Sequence, residues 1–183
     1  FRMLDICLES DGACAVLVTS AERAKDLRHT PVYIMSGANG GGANQGDDLF
    51  DCLRWEDHSE NYSAYIADDL WGGAGVGPED VDVAEIYDCF TYSVVAQLEG
   101  LGFCLPGEGP DFIQGGRIAR DGALPLNTHG GLLSEAYIHG LNHVVEAVDQ
   151  LRGDAGPRQI PGAEIALTTA GAMTVGSALV LRN

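Results

Sequence analysis

Apolar stretches alternate with helix-like patterns along the chain, and this order predicts an α/β fold. Apolar stretches at residues 12–18 and 31–35 are typical of buried strands. Residues 83–87 predict a third strand, and residues 164–182 predict two more around a Gly-containing turn at 171–176. Because the connection between these last two is short, we expect them to pair antiparallel. The interpretation is a mixed sheet of five strands.

Four segments carry helix signals. Residues 21–27 follow Ser20, a residue type that caps helix N-termini. Helical patterns also cover residues 61–71 and Thr91–Gly100. The longest candidate is residues 130–151, which present a broad apolar face and are followed by glycine. Strands alternating with these helices predict a layered α/β unit.

Two Gly-rich segments interrupt the pattern, and we expect both to be loops. Residues 37–46 resemble a phosphate-binding loop only in part, because a GxGxxG frame from Gly40 finds Gly42 but then meets Gln45. No GK[ST] follows, so the sequence predicts a loop without a nucleotide site. Residues 106–124 contain many Gly and Pro residues and predict an excursion.

Charge excludes several classes of partner. The chain has 27 acidic and 10 basic residues, a net charge of −17, which repels phosphate backbones and anionic lipids. We therefore expect no nucleic-acid partner and no membrane insertion. Residues 165–181 lack charges, but their Thr, Ser and Gly content fits two strands better than a membrane span. Five cysteines without a CxxC motif fit a reducing cytoplasm better than a disulfide framework or a zinc ribbon.

Isolated residue pairs give weak chemical signals. His139 and His143 are four residues apart, with Glu135 one turn earlier, which is a spacing that could hold a metal. Without an HExxH motif, a polar stripe on an amphipathic helix is the favoured interpretation, and we predict no metal site. Cys89 with His129 as a base would make a nucleophile, but a free cysteine is usually a small buried apolar residue.

Two longer segments are more informative. Residues 85–90 (EIYDCF) bring polar groups to the end of a predicted strand, which is where α/β sheets place their sites. Residues 127–137 (NTHGGLLSEAY) place a Gly-Gly turn before a helix whose first turns carry Tyr137. Taken alone, each tyrosine is compatible with ordinary packing.

These segments resemble the thiolase superfamily, in particular its lipid-transfer-protein branch of sterol-carrier-protein thiolases and bacterial steroid-degrading relatives. The similarity rests on NxxGGLLS at 127–134, Glu-x-x-Asp-Cys-Phe at 85–90, and the Gly-containing strand pair at 165–181. The resemblance implies the layered α-β-α-β-α thiolase fold. It also implies that residues 31–183 form the C-terminal thiolase-like domain. Residues 1–30 would then be the last strand and helix of the N-terminal half of a chain roughly twice as long.

The departures from the family pattern bear on activity. Tyr87 occupies a position where this branch has histidine, and Tyr137 stands where the family has its catalytic histidine. Ala170, Gly171 and Ala172 occupy the region of a catalytic Cys-x-Gly. Because an unperturbed tyrosine has a pKa of about 10, two phenols cannot replace the acid and base of a thiolase. They suit a retro-aldol cleavage, in which one phenol with a depressed pKa removes a β-hydroxyl proton and the other protonates the resulting enolate.

The resemblance extends to tyrosine-bearing aldolases of actinobacterial steroid catabolism. It implies cleavage of a 17-hydroxy steroid acyl-CoA to a 17-ketosteroid and propionyl-CoA by a homodimer joined to a small OB-fold partner. Coenzyme A is then part of the substrate, and no separate cofactor is expected. The implied catalytic pair is Tyr87 and Tyr137, without an assignment of base and acid, and Asp88 and His129 would support it. The implied substrate or coenzyme A contacts are Gly130, Gly131 and Gly171.

Two alternatives remain open at this level. The first is thiolase-type chemistry on a 3-ketoacyl-CoA, which needs a nucleophilic cysteine elsewhere in the full protein. The second is a non-catalytic acyl-CoA or lipid-binding protein.

Overall fold

A mixed sheet lies at the centre of the molecule. The computed structural model describes residues 1–46 and 51–183. Within this part of the chain the sheet has four strands in the order β1-β4-β3-β2. Strand β4 pairs antiparallel with β1 and β3, and the short β2 pairs parallel with β3. The strands are β1 (Tyr33–Gly41), β2 (Val83–Glu85), β3 (Ile165–Gly171) and β4 (Val175–Arg182).

The prediction of a fifth strand at residues 12–18 is wrong. This segment has no strand structure, and Val16, Leu17 and Val18 are 44%, 90% and 73% exposed. A strand forms only where a neighbour pairs with its backbone N–H and C=O groups. Among residues 1–46 and 51–183, no strand pairs with this segment. Apolar composition alone therefore did not decide its structure.

The predictions of the other strands are confirmed with shifted ends. Strand β1 continues through the first half of the predicted loop at 37–46. Glycine permits this close pairing, because a Cβ at Gly41 would overlap the carbonyl of Thr174. The predicted loop ends at residue 46, and residues 47–50, which follow it, lie outside the described residues. The antiparallel β3–β4 pair confirms that residues 165–181 form two strands.

Within the described residues, six α-helices connect and cover the strands. Helix α3 has the predicted bounds, Thr91–Gly100. Ser20 caps α1 as predicted, through the N–H of Arg23. The predicted loop at 106–124 contains a short helix, α4. The helices are α1 (Ala21–Ala24), α2 (Tyr62–Ala74), α3 (Thr91–Gly100), α4 (Gly109–Phe112), α5 (Gly131–Ser134) and α6 (Leu141–Arg152).

The prediction of one long helix over residues 130–151 is wrong. Helix α5 ends at Ser134 and α6 begins at Leu141, so residues 135–140 break the helix. His139 (φ 50°) and Gly140 (φ 86°) have left-handed backbone conformations that an α-helix cannot contain. A Cβ on Gly140 would lie 3.2 Å from the ring of Tyr87, so this glycine also permits close packing. The break matters because it contains Tyr137.

Helices cover both faces of the sheet, which confirms a layered α/β fold. Side chains alternate between faces along a strand, so Ala166 and Leu167 point in opposite directions. Leu167 belongs to an apolar cluster with α2 and α3, and Ala166 belongs to a second cluster with α6. Among the residues described, the helices are all too short or too polar to span a bilayer.

Candidate functional site

The hydroxyl groups of two tyrosines meet beyond the end of β2. Tyr87 lies two residues after the end of β2, and Tyr137 lies in the break between α5 and α6. The Tyr87 hydroxyl donates a hydrogen bond to the Tyr137 hydroxyl, with 3.0 Å between the oxygens. The rings meet edge to face, with centroids 6.3 Å apart. The structure therefore brings together the two residues that the sequence analysis selected.

Buried polar side chains fix the backbone of Tyr87. Its N–H donates to Oγ1 of Thr169 on β3 at 2.8 Å, and its carbonyl accepts from Nε2 of Gln97 on α3 at 2.8 Å. Gln97 is fully buried, and its Oε1 accepts from the hydroxyls of Tyr62 and Thr169. Buried polar groups with complete hydrogen bonding hold one conformation. Tyr87 is thus positioned by both the sheet and a helix.

The segment that carries Tyr137 is held by α6. Nδ2 of Asn142 donates to the carbonyl of Ala136 at 3.2 Å and to Oε2 of Glu135 at 2.9 Å. On its other side, Tyr137 forms a parallel backbone bridge with Glu9. These contacts replace the hydrogen bonds that a continuous helix would have supplied. They direct Tyr137 toward Tyr87 instead of along a helix face.

His139 is a residue that the sequence analysis placed only in a metal-binding pattern. Its Nδ1 lies 3.4 Å from the Tyr87 hydroxyl, and its ring centroid is 4.6 Å from that of Tyr137. Because His139 precedes α6, the predicted His139–His143 stripe on one helix does not form. A signal for the break was present, since a glycine directly follows His139 and favours left-handed conformations.

Asp88 organises the start of α5. Its side chain is buried, and its two oxygens accept from the N–H groups of Leu132 (2.7 Å) and Leu133 (3.3 Å). Gly131 has φ 63°, and a Cβ there would overlap the Asp88 carboxylate. Gly130 is also left-handed, with φ 109°. In this structure the Gly-Gly turn brings α5 onto Asp88, and its predicted contact with the substrate stays a prediction.

Asn127 ties the same turn to the end of β2. Its Oδ1 accepts from the N–H of Ile86 at 2.7 Å, and its Nδ2 donates to the carbonyl of Ile86 at 2.9 Å. The amide side chain thus replaces a strand neighbour at this position. This explains why the two motifs at residues 85–90 and 127–134 lie together in the fold.

His129 lies behind the tyrosine pair and contacts a buried carboxylate. Its Nδ1 is 3.0 Å from Oε2 of Glu85, which is fully buried, and its Nε2 is 3.5 Å from Oε2 of Glu135. Burial disfavours the imidazolium, but the hydrogen bond and negative charge of Glu85 outweigh burial and raise the pKa of His129. His129 thus contacts carboxylates and not the tyrosine hydroxyls, and its supporting role stays a prediction.

The pairing of Cys89 with His129 as nucleophile and base is not supported by the geometry. The Cys89 sulfur contacts the Ser93 hydroxyl at 3.6 Å, while His129 contacts Glu85. Burial also raises the pKa of the Cys89 thiol, which disfavours the thiolate that a nucleophile requires.

His143 does not lie in the predicted polar stripe of an amphipathic helix, because its side chain is fully buried. Its Nε2 is 3.5 Å from Oδ1 of Asp88, and its Nδ1 is 4.0 Å from Oε2 of Glu85. His143 therefore lies between two buried carboxylates. Glu85, His129 and His143 have ligand-type atoms within 4.8 Å of one another, so these residues could hold a cation.

Apolar and sulfur-containing side chains surround the tyrosine pair. The members of this apolar cluster come from four separate segments of the chain. Gly171 ends β3 with φ 119°, and a Cβ there would overlap the backbone of Gly176, so it permits closure of the hairpin. The residues packed against Tyr87 and Tyr137 are Cys7, Cys89, Phe90, Leu132, Ala170 and Ala172.

The two phenols of the pair are not equivalent. Tyr87 is 4% exposed, and its burial raises its pKa. Donation of its proton to Tyr137 raises that pKa further, because the bond would be lost on ionisation. Tyr87 is therefore a neutral proton donor, and Tyr137 is the acceptor within the pair.

Comparison with known families decides the ancestry of this site. A family model described as thiolase C-terminal domain-like matches residues 59–183. The chain belongs to this thiolase family. The resemblance stated from the motifs is thereby confirmed.

The relatives of this thiolase-like chain include steroid side-chain aldolases. It is 45% identical over 180 residues to a 17-hydroxy-3-oxo-4-pregnene-20-carboxyl-CoA lyase of Mycobacterium tuberculosis, covering 98% of the chain and 46% of that protein. It is 42% identical to a steroid side-chain-cleaving aldolase of Thermomonospora curvata, again covering 98% and 46%. The thiolase-like chain thus spans about half the length of these curated relatives.

A solved structure matches this thiolase-like chain over almost its entire length. The structure named Ltp2-ChsH2(DUF35) aldolase has a TM-score of 0.94 and 41% identity, and the match covers 99% of this chain and 47% of that one. The predicted thiolase-like layered fold is confirmed by this match and by the family model.

Proposed function

We propose that the full protein containing this chain is a carbon–carbon lyase that performs a retro-aldol cleavage of a β-hydroxyacyl-CoA. The observation that carries the proposal is the 3.0 Å contact between the hydroxyls of Tyr87 and Tyr137. Two phenols occupy a position where a thiolase needs a histidine and a second acid–base group. The names of the aldolase relatives support the same class of reaction.

The hydrogen-bond direction supports an assignment of roles. Tyr137 accepts the hydrogen bond, so its oxygen is the one on which negative charge is stabilised, and it acts as the base. It removes the proton of the β-hydroxyl group. The bond between the β-carbon and the α-carbon then breaks, a ketone forms, and the electron pair enters the thioester as an enolate.

Tyr87 completes the reaction as the acid. Because burial raises its pKa, it is protonated at the start of each cycle and delivers that proton to the α-carbon of the enolate. Tyr87 then carries the negative charge and Tyr137 carries the proton. The direct contact between the two oxygens lets the proton return from Tyr137 to Tyr87, which restores the starting state without a further group.

The environment of the pair supports a steroid substrate. Phe90, Leu132 and Ala172 lie around the tyrosines, and this apolar cluster suits a hydrocarbon ring system. With the names of the relatives, this supports a 17-hydroxy steroid acyl-CoA as substrate, with a 17-ketosteroid and propionyl-CoA as products. Coenzyme A enters as part of the substrate, and the mechanism requires no metal or separate cofactor.

The same proposal includes partners. We expect a homodimer joined to a small OB-fold protein, and the paired name of the Ltp2-ChsH2(DUF35) structure supports a partner complex. Asp88 and His129 would position the site, since Asp88 holds α5 and His129 faces Glu85. Gly130, Gly131 and Gly171 are kept as candidate contacts for the thioester or coenzyme A.

The test uses the full-length protein with its partner and a synthetic 17-hydroxy steroid acyl-CoA. We expect stoichiometric propionyl-CoA and 17-ketosteroid without added free coenzyme A. Thiolase chemistry would instead cleave a 3-ketoacyl-CoA and consume free coenzyme A. A binding protein would retain the acyl-CoA but release neither product, and either of these two results would overturn the proposal.

A further inference from the structure

A third side chain, the imidazole of His139, completes the cluster at the tyrosine pair. Its Nδ1 lies 3.4 Å from the Tyr87 hydroxyl and its ring packs 4.6 Å from the ring of Tyr137. Catalytic hydrogen bonds are often long in ligand-free structures and shorten when substrate binds. The contact is therefore within the range that a functional hydrogen bond can use.

Proton counting links the two contacts of the Tyr87 hydroxyl. Tyr87 has one hydroxyl proton, which is assigned to the bond with Tyr137. With that assignment, a hydrogen bond between Tyr87 and Nδ1 of His139 requires the tautomer that carries its proton on Nδ1. The result is a chain in which the imidazole donates to Tyr87 and Tyr87 donates to Tyr137. Each donor in such a chain polarises the next, and the effect ends on the Tyr137 oxygen.

The backbone at His139 indicates that this placement is specifically maintained. His139 has φ 50°, in the left-handed region that few residues other than glycine adopt. Gly140 follows with φ 86° and lies directly against the ring of Tyr87. Unfavourable backbone conformations persist where surrounding structure holds them, and they are concentrated at functional sites.

We propose that His139 is a positioning residue that donates its Nδ1 proton to Tyr87 and thereby stabilises negative charge on Tyr137. This inference deepens the proposed function and rests on it. It assigns the electrostatic support that a phenolate base needs in an apolar site. The other titratable groups that face the pair, among the residues described, are Cys7 and Cys89 near Tyr87, His143 edge-on to the Tyr87 ring, and Glu9 on the backbone bridge to Tyr137.

Two substitutions separate the hydrogen bond from the backbone conformation. Glycine and asparagine both tolerate the left-handed conformation, but only asparagine places an N–H donor near the position of Nδ1. We therefore compare His139→Gly with His139→Asn in the full-length protein with its partner. Loss of one hydrogen bond that supports the charge on Tyr137 predicts that His139→Gly lowers kcat/KM near neutral pH by about tenfold. The acid limb of its pH profile should move to higher pH, while His139→Asn stays close to wild type.

A second measurement does not depend on turnover. Nitrogen-15 NMR of labelled histidine, with His139→Asn to assign the signals, reports which ring nitrogen of His139 carries the proton. We expect the proton on Nδ1 in the wild-type protein. A His139 ring with its proton on Nε2 alone would overturn the inference, as would equal loss of activity in His139→Gly and His139→Asn.

The two proposals fail in different ways. If the wild-type protein does not cleave the hydroxyacyl-CoA, the proposed function fails, while the position of the proton on His139 still tests the hydrogen-bond chain. If the wild type cleaves it and His139→Gly has the same rate and pH profile, only the role of His139 fails.

Discussion

Nδ1 of His129 lies 3.0 Å from Oε2 of Glu85, and both side chains are almost completely withdrawn from solvent. The contact joins the turn at residues 127–131 to the end of β2. Because β2 leads directly into Tyr87, this contact helps to set where the tyrosine site begins. Removing one partner of a buried ion pair leaves the other uncompensated, which costs more than the pair itself contributes.

The Glu85–His129 pair should make stability depend on pH. Contact with Glu85 raises the pKa of His129 in the folded state, so its contribution is present below about 6.5, the unfolded value, and is lost as pH rises through the folded pKa. Glu85→Gln removes the cause of this shift. We expect the stability advantage of wild type over Glu85→Gln, measured by urea unfolding, to shrink as pH rises across this window. An advantage that grows with pH would contradict the assignment.

Asp88 should contribute to stability through α5. Asp88→Ala removes the acceptors of two backbone N–H groups in a buried location, and we expect a loss of about 1–3 kcal/mol in the free energy of unfolding. Asp88→Asn keeps one acceptor oxygen and should lose less. Chemical denaturation of the three proteins measures the difference, and equal stabilities of Asp88→Ala and wild type would refute the capping role.

Gly131 provides a test of the close approach between the turn and Asp88. Gly131→Ala combines a left-handed φ of 63° with overlap of the Asp88 carboxylate. Gly107→Ala is the matched control, because Gly107 also has a positive φ (86°) but has open space where a Cβ would lie. We expect Gly131→Ala to lower the melting temperature clearly more than Gly107→Ala does. Similar shifts would mean that backbone strain alone, and not the overlap, limits this position.

The thiol of Cys89 should be dispensable for catalysis. Its sulfur contacts Ser93, and burial raises its pKa, so Cys89→Ala should keep kcat near the wild-type value in the full-length protein. A modest loss of stability is expected because a buried side chain becomes smaller. Loss of product formation with retained folding would favour the thiolase alternative.

The sequence predicted those parts of the fold that depend on local pattern. The helical pattern of Thr91–Gly100 predicted α3 with its observed ends. Family resemblance also paired Tyr87 with Tyr137, and the structure brings their hydroxyls into contact, while their catalytic role stays a prediction. Local pattern and family motifs were sufficient for these elements because their neighbours impose no contrary conformation.

Elements that depend on distant contacts were not predictable in this way. The apolar pattern continues from Ala136 to Leu141 as if one helix passed through, but the bond from Asn142 to the Ala136 carbonyl and the packing of Gly140 on Tyr87 break it. His143 was expected in a polar stripe on an amphipathic helix. It is instead fully buried, close to the carboxylates of Asp88 and Glu85. Neither carboxylate is near His143 in sequence.

The most direct test of the account is the release of propionyl-CoA by two single-hydroxyl variants. Tyr87→Phe and Tyr137→Phe keep the rings and remove one phenolic oxygen each, so folding and substrate binding should persist. The assay uses the full-length protein with its partner and a 17-hydroxy steroid acyl-CoA. We expect each variant to lose at least about a hundredfold in kcat, because each lacks either the base or the acid. Turnover at the wild-type rate by either variant would contradict the account.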